Sequence, residues 1–144
     1  MAKGIFTITL TLGQASWMSK EIITKTQKVY QDKNGIVCCT YLPDTDITLE
    51  NAIIDIEAIA SFCKKMKRPV FVDIRARHSI RKEARKYFAG EVTAKSINAV
   101  ALFVDSPVSR MMANFFIGLN KTLYPTKMFT QEEKAKEWLK GFLQ

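Results

Sequence analysis

The sequence predicts an α/β domain with a mostly parallel β-sheet, an antiparallel N-terminal hairpin and about four helices. Two short apolar runs, residues 70–74 and 99–104, are typical of strands buried in a parallel sheet. Segments with helical spacing of apolar residues separate these runs, and such crossovers favour parallel strands. Asn34-Gly35 lies between two β-branched or aromatic runs and predicts the hairpin turn.

The N-terminal part reads as strands. The two runs beside the turn cover residues 22–30 and 36–41, and each is predicted to form one strand of the hairpin. Before them, Phe6, Ile8, Leu10 and Leu12 alternate with threonine in a pattern that predicts a further amphipathic strand. Because successive side chains on a strand point to opposite faces, the adjacent cysteines at 38 and 39 should be separated by the sheet.

Two helices are expected on either side of the first parallel strand. Thr48 or Asp46 can cap a helix that runs through Lys67, with apolar residues at helical spacing and three lysines in its last turn, where cations suit the helix dipole. Ser79 can cap a second helix. Its apolar face would carry Ile80, Ala84, Tyr87 and Phe88.

Two more helices are predicted after the second parallel strand. Ser106 is a natural cap for a helix over residues 107–120, because proline at its first position suits the start of a helix. Residues 125–129 predict a final short strand. A capping box at residues 130–133 then opens the last helix, whose apolar positions are Ala135, Trp138, Leu139 and Phe142.

Composition excludes several classes of protein. A chain of 144 residues with 47% hydrophobic and 25% charged residues is typical of one soluble globular domain, here residues 1–144. The three cysteines form no C-x-x-C motif and His78 is the single histidine, which predicts buried, reduced thiols in the cytoplasm and no metal site or cofactor. Residues 1–13 are too short and too polar for a signal peptide or a membrane span.

The net charge of +8 is local. Residues 64–86 hold ten bases and two acids, so this segment carries the whole excess. Such a patch attracts anionic partners, but a solvated helix end followed by a solvated helix face would have the same composition. Aromatic residues do not interleave with the bases as a stacking platform requires, so nucleic-acid binding is not predicted.

Several blocks of the sequence resemble a known group of proteins. The blocks "PDTDITLENA", "VFVDIRARHSIRKEARKYFAG", "NAVALFVDSPVSRMMANFFIGLNK" and "PTKMFTQEEKAKEWL" are similar to the small bacterial SpoIIAA-like proteins. These belong to the superfamily that joins STAS domains, the anti-sigma-factor antagonists, with SEC14-like lipid binders. The resemblance covers residues 36–143 and leaves residues 1–34 as N-terminal strands. It implies the same α/β fold.

The resemblance implies three alternative functions. The first is a non-catalytic regulatory or protein-interaction module, and the second is a SEC14-like binder of a small apolar or anionic lipid-type ligand. The third is a phosphorylation-switched regulator, in which Ser79 would occupy the place of the phosphorylated serine. The Asp-Ser-(Ser/Thr)-Gly pattern of such switches is replaced here by "RARHSI", so a capping role for Ser79 stands beside that of a phosphosite.

The apolar helix over residues 107–120 offers a second candidate surface. It is apolar almost all round, so one side could pack on the sheet while another contacts a partner or nothing outside its own core. The expected partner is a second copy of the chain, which would give a homodimer, or another protein. Alternatively the helix could cover an apolar pocket. The residues expected to make these contacts are Met111, Met112, Phe115 and Phe116.

The basic loop after the first parallel strand predicts an anion site at the carboxyl edge of the sheet. Free N–H groups at a helix N-terminus and nearby arginines both favour an anion, unless Asp73 and Asp105 neutralise the arginines. The chain has no G-x-S-x-G elbow, no triad and no glycine-rich phosphate loop, so catalysis is not predicted. The candidate anion-binding residues are Arg75, Arg77, His78, Ser79, Ser106 and Arg110.

Overall fold

The structure is a computed structural model, which describes residues 7–10, 20–107, 109–111, 113–114 and 121–143. Its strands are β1 (Thr7–Leu10), β2 (Lys20–Ile23), β3 (Gln27–Gln31), β4 (Val37–Tyr41), β5 (Thr45–Ile47), β6 (Arg68–Asp73), β7 (His78–Ile80), β8 (Ile97–Phe103) and β9 (Thr126–Phe129). Its bounded helices are α1 (Leu49–Cys63), α2 (Lys82–Ala89), α3 (Glu91–Ala94) and α4 (Glu132–Lys140), and residues 107, 109–111 and 113–114 are also helical.

A seven-stranded sheet organises the described chain. Its strand order is β1-β2-β3-β4-β6-β8-β9. The strands from β1 to β4 are joined by antiparallel pairing, whereas β4, β6, β8 and β9 run parallel to one another. This confirms the predicted fold class, although the antiparallel part is a meander of four strands instead of a single hairpin.

Apolar side chains alternate between the two faces of the sheet. Val70, Val100 and Leu102 belong to the core cluster that packs against α1 and α2, and this side is called the front face. Phe71 and Phe103 belong to a second cluster that packs against α4, on the back face. The alternation also separates the adjacent cysteines, as predicted: the thiol at 38 is buried in the back cluster and the thiol at 39 in the front cluster.

The hairpin turn is confirmed, but the strand before it is shorter than predicted. Gly35 adopts a φ of 97° and its N–H donates to the carbonyl of Asp32, so the turn uses a conformation that glycine tolerates. The run over residues 22–30 is broken into β2 and β3. The break lies at Thr24 and Thr26, whose hydroxyls both donate to the carboxylate of Asp55 on α1.

Helix α1 begins as predicted and ends early. The Thr48 hydroxyl accepts from the N–H of Asn51, and the Asn51 side chain accepts from the N–H of Thr48, so a reciprocal capping box opens the helix. The helix ends at Cys63 because Lys64 takes a positive φ of 55°. The predicted extension through Lys67 is therefore wrong, and the three lysines follow the helix.

The predicted role of Ser79 as a helix cap is wrong. Ser79 lies in β7, which pairs in parallel with β5 to form a separate two-stranded sheet. Helix α2 starts at Lys82, and Arg81 stands at its N-cap without a side-chain capping bond. The short strand forms because it pairs with β5, which lies more than thirty residues earlier in the chain. Local periodicity does not reveal such a distant partner.

Of the two predicted C-terminal helix caps, the first is confirmed and the second is wrong. Ser106 caps the helical segment at residue 107, since its hydroxyl accepts from the N–H of Ser109. The capping box at residues 130–133 is wrong, because Gln131 occupies the N-cap of α4 and makes no side-chain capping bond. The two runs predicted as buried strands, residues 70–74 and 99–104, are mostly buried. Phe71, Ile74, Ala101, Phe103 and Val104 are buried, whereas Val72 is only half-buried.

Candidate functional site

An apolar cavity lies on the front face of the sheet. Strands β4, β6 and β8 form its floor, α1 and α2 contribute to its walls, and its volume is about 70 Å³. A volume of about 10–15 Å³ is enough to hold one water molecule. The cavity is larger than that and can take a small ligand. Its lining includes Tyr41, Ile56, Val72, Phe88, Leu102 and Tyr124.

Two hydroxyl-bearing residues of the lining have internal partners. The Thr93 hydroxyl donates to the carbonyl of Tyr87 at 2.8 Å, and the Tyr124 hydroxyl donates to the carbonyl of Phe88. These bonds tie the lining to α2 and to the turn that follows it. Each of the two hydroxyls already donates its one hydrogen, so neither needs an acceptor from a ligand in the cavity.

His78 is a buried polar residue of the lining, with 9% of its surface exposed. Its Nδ1 lies 2.6 Å from the carbonyl oxygen of Ala76, while its Nε2 has no hydrogen-bond partner. The ring of Tyr41 packs edge-on against the imidazole at a centroid distance of 4.7 Å. Burial lowers the pKa of His78 below its ordinary value, although the bond to Ala76 opposes that shift.

A buried carboxylate on the same side of the sheet connects α1 to the turn between β2 and β3. Asp55 of α1 is fully buried and accepts hydrogen bonds from the hydroxyls of Thr24, at 2.7 Å, and Thr26. Burial raises the pKa of Asp55 to about 6, and the hydrogen bonds limit that rise. Asp55 therefore fastens the turn between β2 and β3 to the helix that walls the cavity.

The first arginine of the predicted anion site, Arg75, is paired with a neighbouring carboxylate. The Arg75 guanidinium binds the Asp73 carboxylate through Nε at 2.9 Å and a terminal nitrogen at 2.8 Å. The same guanidinium lies over the ring of Phe103, 4.3 Å from its centroid. The predicted alternative, neutralisation of Arg75 by Asp73, is the arrangement that the structure shows.

Ser79 also faces a carboxylate. Its hydroxyl donates to Asp46 at 2.9 Å, and the Arg81 guanidinium binds the other oxygen of Asp46 at 2.6 Å. The side chain of Arg77 is exposed, and its backbone carbonyl accepts from the N–H of Asp44. This end of the second sheet thus holds its own ion pair.

The six candidate residues have different surroundings. His78 lines the cavity, Ser106 caps the helical segment, and Arg110 is exposed and lines a second pocket, of about 260 Å³, together with Lys134. Across the described ranges, no cluster of three or more His, Cys, Asp or Glu side chains could hold a metal ion. The site that the front face does assemble is apolar.

The candidate interaction helix is described only in part. Met111 has 64% of its surface exposed, whereas Met112, Phe115 and Phe116 lie outside the described residues. Ala113, from the same helical segment, is buried and lines the cavity. This segment therefore borders the cavity at Ala113.

Sequence reasoning missed most of the cavity lining. The alternation of apolar residues along β6 and β8 places Val72 and Leu102 on one face, and this signal was available. What the alternation does not reveal is whether the space above that face is filled by side chains or left open. The basic neighbours of His78 in the sequence predict that it binds an anion, whereas its side chain lines an apolar cavity.

No helix within the described ranges is both long enough and apolar enough to cross a membrane. No curated protein matches the chain significantly. Among solved structures, an uncharacterised protein of the DUF3478 family from Shewanella loihica PV-4, described as having a SpoIIAA-like fold, superposes with a TM-score of 0.53. It is 14% identical, and the match covers 96% of this chain and 97% of the other. This likeness shows the fold.

A second solved structure is a protein with unknown function from Arthrobacter sp. FB24. It is 30% identical to this chain, with a TM-score of 0.32, and the match covers 77% of this chain and 96% of the other. The sequence profile of a domain of unknown function, DUF7793, matches residues 30–143, which is more than half of the chain. The protein therefore belongs to the DUF7793 family.

Proposed function

We propose that this protein is a non-catalytic binding module of the bacterial cytoplasm that takes a small, mainly apolar molecule into the front-face cavity. The cavity itself, with an apolar lining and one buried imidazole, is the observation that carries the proposal. The relationship to STAS and SEC14-like proteins inferred from the sequence agrees with such a role. The three buried, unpaired thiols suit a reducing compartment.

The side chains that line the cavity lack packing partners on the side that faces the space. A ligand that fills the space restores the lost contacts and removes more apolar surface from water. Occupancy is therefore favoured whenever a molecule of suitable size and polarity is present.

The alternatives are less well supported by the geometry. The Ser79 hydroxyl already donates to Asp46, whose carboxylate is paired with Arg81, so a phosphorylation switch is not part of the proposal. At the basic loop the charge of Arg75 is already paired with Asp73, which weakens the attraction of that loop for an anionic headgroup. The ligand we propose is therefore apolar.

A second candidate function is self-association or binding of another protein through the helical segment on which Met111 is exposed. Because Ala113 of the same helical segment lines the cavity, a ligand there would also influence this surface. If the surface mediates a dimer, Met111→Lys should stay folded and sediment as a monomer while the unaltered protein sediments as a dimer. Identical sedimentation of two folded proteins would rule out this candidate.

The binding proposal is tested with a cavity-filling variant. Val72→Phe places a larger side chain in the cavity, so we expect this variant to stay folded and to lose a small molecule that co-purifies with the unaltered protein from its own host. Native mass spectrometry measures the bound mass. Phe71→Leu is the matched control. Phe71 is next to Val72 on the same strand but packs on the back face, so this variant should keep the ligand bound.

Two results would contradict the proposal. The first is a native preparation with no bound small molecule that is also not stabilised by an added apolar probe such as benzene. The second is a folded Val72→Phe protein that retains the same bound mass as the unaltered protein.

A further inference from the structure

We infer that Nε2 of His78 is the recognition point of the cavity, and that it selects a neutral apolar ligand carrying one hydrogen-bond donor, such as the hydroxyl of a phenol. This inference rests on the proposed function and deepens it. The ring lines the cavity, and among the described residues that line it, Nε2 of His78 is the fully buried side-chain polar atom without a partner.

The hydrogen bond at the other ring nitrogen fixes the tautomer. Nδ1 lies 2.6 Å from the carbonyl oxygen of Ala76, and a carbonyl only accepts hydrogen bonds. Nδ1 must therefore carry the proton. In a neutral imidazole the remaining nitrogen, Nε2, then has a lone pair and no hydrogen, so it accepts and does not donate.

Burial keeps the imidazole neutral. It lowers the pKa of His78, because the cavity lining does not solvate an imidazolium. No carboxylate is among the described residues of the lining, so no counter-charge opposes this effect there. An acceptor that stays buried and unpaired is costly, and a ligand that donates to it removes that cost.

The chemistry of the ligand follows from these constraints. An anion would meet a lone pair in an apolar space, and a molecule with acceptors alone would leave Nε2 unpaired. A hydrocarbon would fill the space but would also leave Nε2 without a partner. A small apolar molecule with one hydroxyl satisfies both the lining and the imidazole.

The single histidine of the chain makes the test direct. Nitrogen-15 NMR of the imidazole reports both ring nitrogens without overlap from another histidine. We expect the free protein to show a protonated Nδ1 and an unprotonated Nε2. Titration with phenol should move the Nε2 resonance towards the protonated range, whereas benzene and anisole, which lack a donor, should not.

A variant separates recognition from filling. His78→Phe keeps a flat ring of similar size but removes the acceptor, so the ratio of phenol affinity to benzene affinity should fall by at least about fivefold, which is what one net hydrogen bond supplies. Ser79→Ala is the matched control. It removes a hydroxyl from the neighbouring residue of β7, whose side chain bonds to Asp46 and is not part of the cavity lining, so it should preserve the ratio.

The outcomes distinguish this inference from the proposal on which it rests. If phenol and benzene both bind but neither moves the Nε2 resonance, the cavity binds apolar molecules and the inference about His78 is wrong. A resonance of Nε2 that is already protonated in the free protein also overturns it. If no probe binds, both ideas fail. Should His78→Phe not fold, the NMR titration of the unaltered protein decides alone.

Discussion

Two buried ionisable residues on the front face illustrate how desolvation acts in opposite directions on acids and bases. Burial raises the pKa of Asp55 and lowers the pKa of His78, because in both residues it disfavours the charged form. The sequence identifies both residues but not these states. Asp55 reaches Thr24 and Thr26 across 31 and 29 residues of chain, which no local pattern reveals.

The raised pKa of Asp55 predicts a specific dependence of stability on pH. The folded-state pKa is about 6 and the ordinary value is 3.8, so the contribution of this carboxyl to stability is fully present below the lower value. It is lost as the pH rises through about 6. Two pKa units correspond to about 3 kcal/mol, so the free energy of unfolding should fall by up to that amount between about pH 4 and pH 7.

Asp55→Asn should remove this part of the pH dependence, because an amide does not titrate and can still bond to the two threonines. Denaturant unfolding of both proteins at the two pH values measures the difference. Glu57→Gln, at an exposed position of the same helix, is the control and should keep the dependence of the unaltered protein. Equal pH profiles for Asp55→Asn and the unaltered protein would contradict the assignment.

At the scale of elements, sequence patterns predicted the buried parallel strands and failed at short elements held by distant partners. Strands β6 and β8 are continuous apolar runs, so composition and length identify them. Strand β7 has three residues, two of them polar, and it exists because it pairs with β5. The anion-site prediction relied in part on a helix beginning near Ser79, whereas the structure has a strand there and α2 starts at Lys82.

The two threonine caps predicted from the sequence should now differ in their effect on stability. Thr48 makes reciprocal bonds with Asn51 at the start of α1, so Thr48→Ala should lower the free energy of unfolding by about 1 kcal/mol. Thr130 precedes α4, whose N-cap makes no side-chain bond, so Thr130→Ala should change it by less than about 0.5 kcal/mol. Denaturant titration measures both. Equal losses would show that the cap of α1 does not act as described.

At the scale of the whole molecule, the sheet separates a front face that retains an apolar cavity from a back face that α4 covers. The back face is closed by α4, where Ala135 and Leu139 are fully buried against the strands. The front face is covered by α1 and α2 and retains the cavity. Alternation in the sequence predicted which residues share a face, but the space left between sheet and helices depends on how the helices sit, which periodicity does not encode.

Two adjacent residues of β8 test this division. Leu102 lines the cavity, whereas Phe103 packs on the back face. The ring centroids of Phe103 and Phe71 lie 5.6 Å apart. Leu102→Ala should cost about 2–5 kcal/mol and Phe103→Ala about 3–5 kcal/mol, so loss of stability does not distinguish them. Only Leu102→Ala enlarges the cavity. That variant should bind indole, a two-ring probe, more tightly than the unaltered protein does, and should shift the His78 ring signals in NMR. Phe103→Ala should match the unaltered protein in indole affinity and in the His78 shifts, because the new space lies across the sheet from the imidazole. Equal shifts of the His78 signals in the two variants would mean that the sheet does not divide binding from packing.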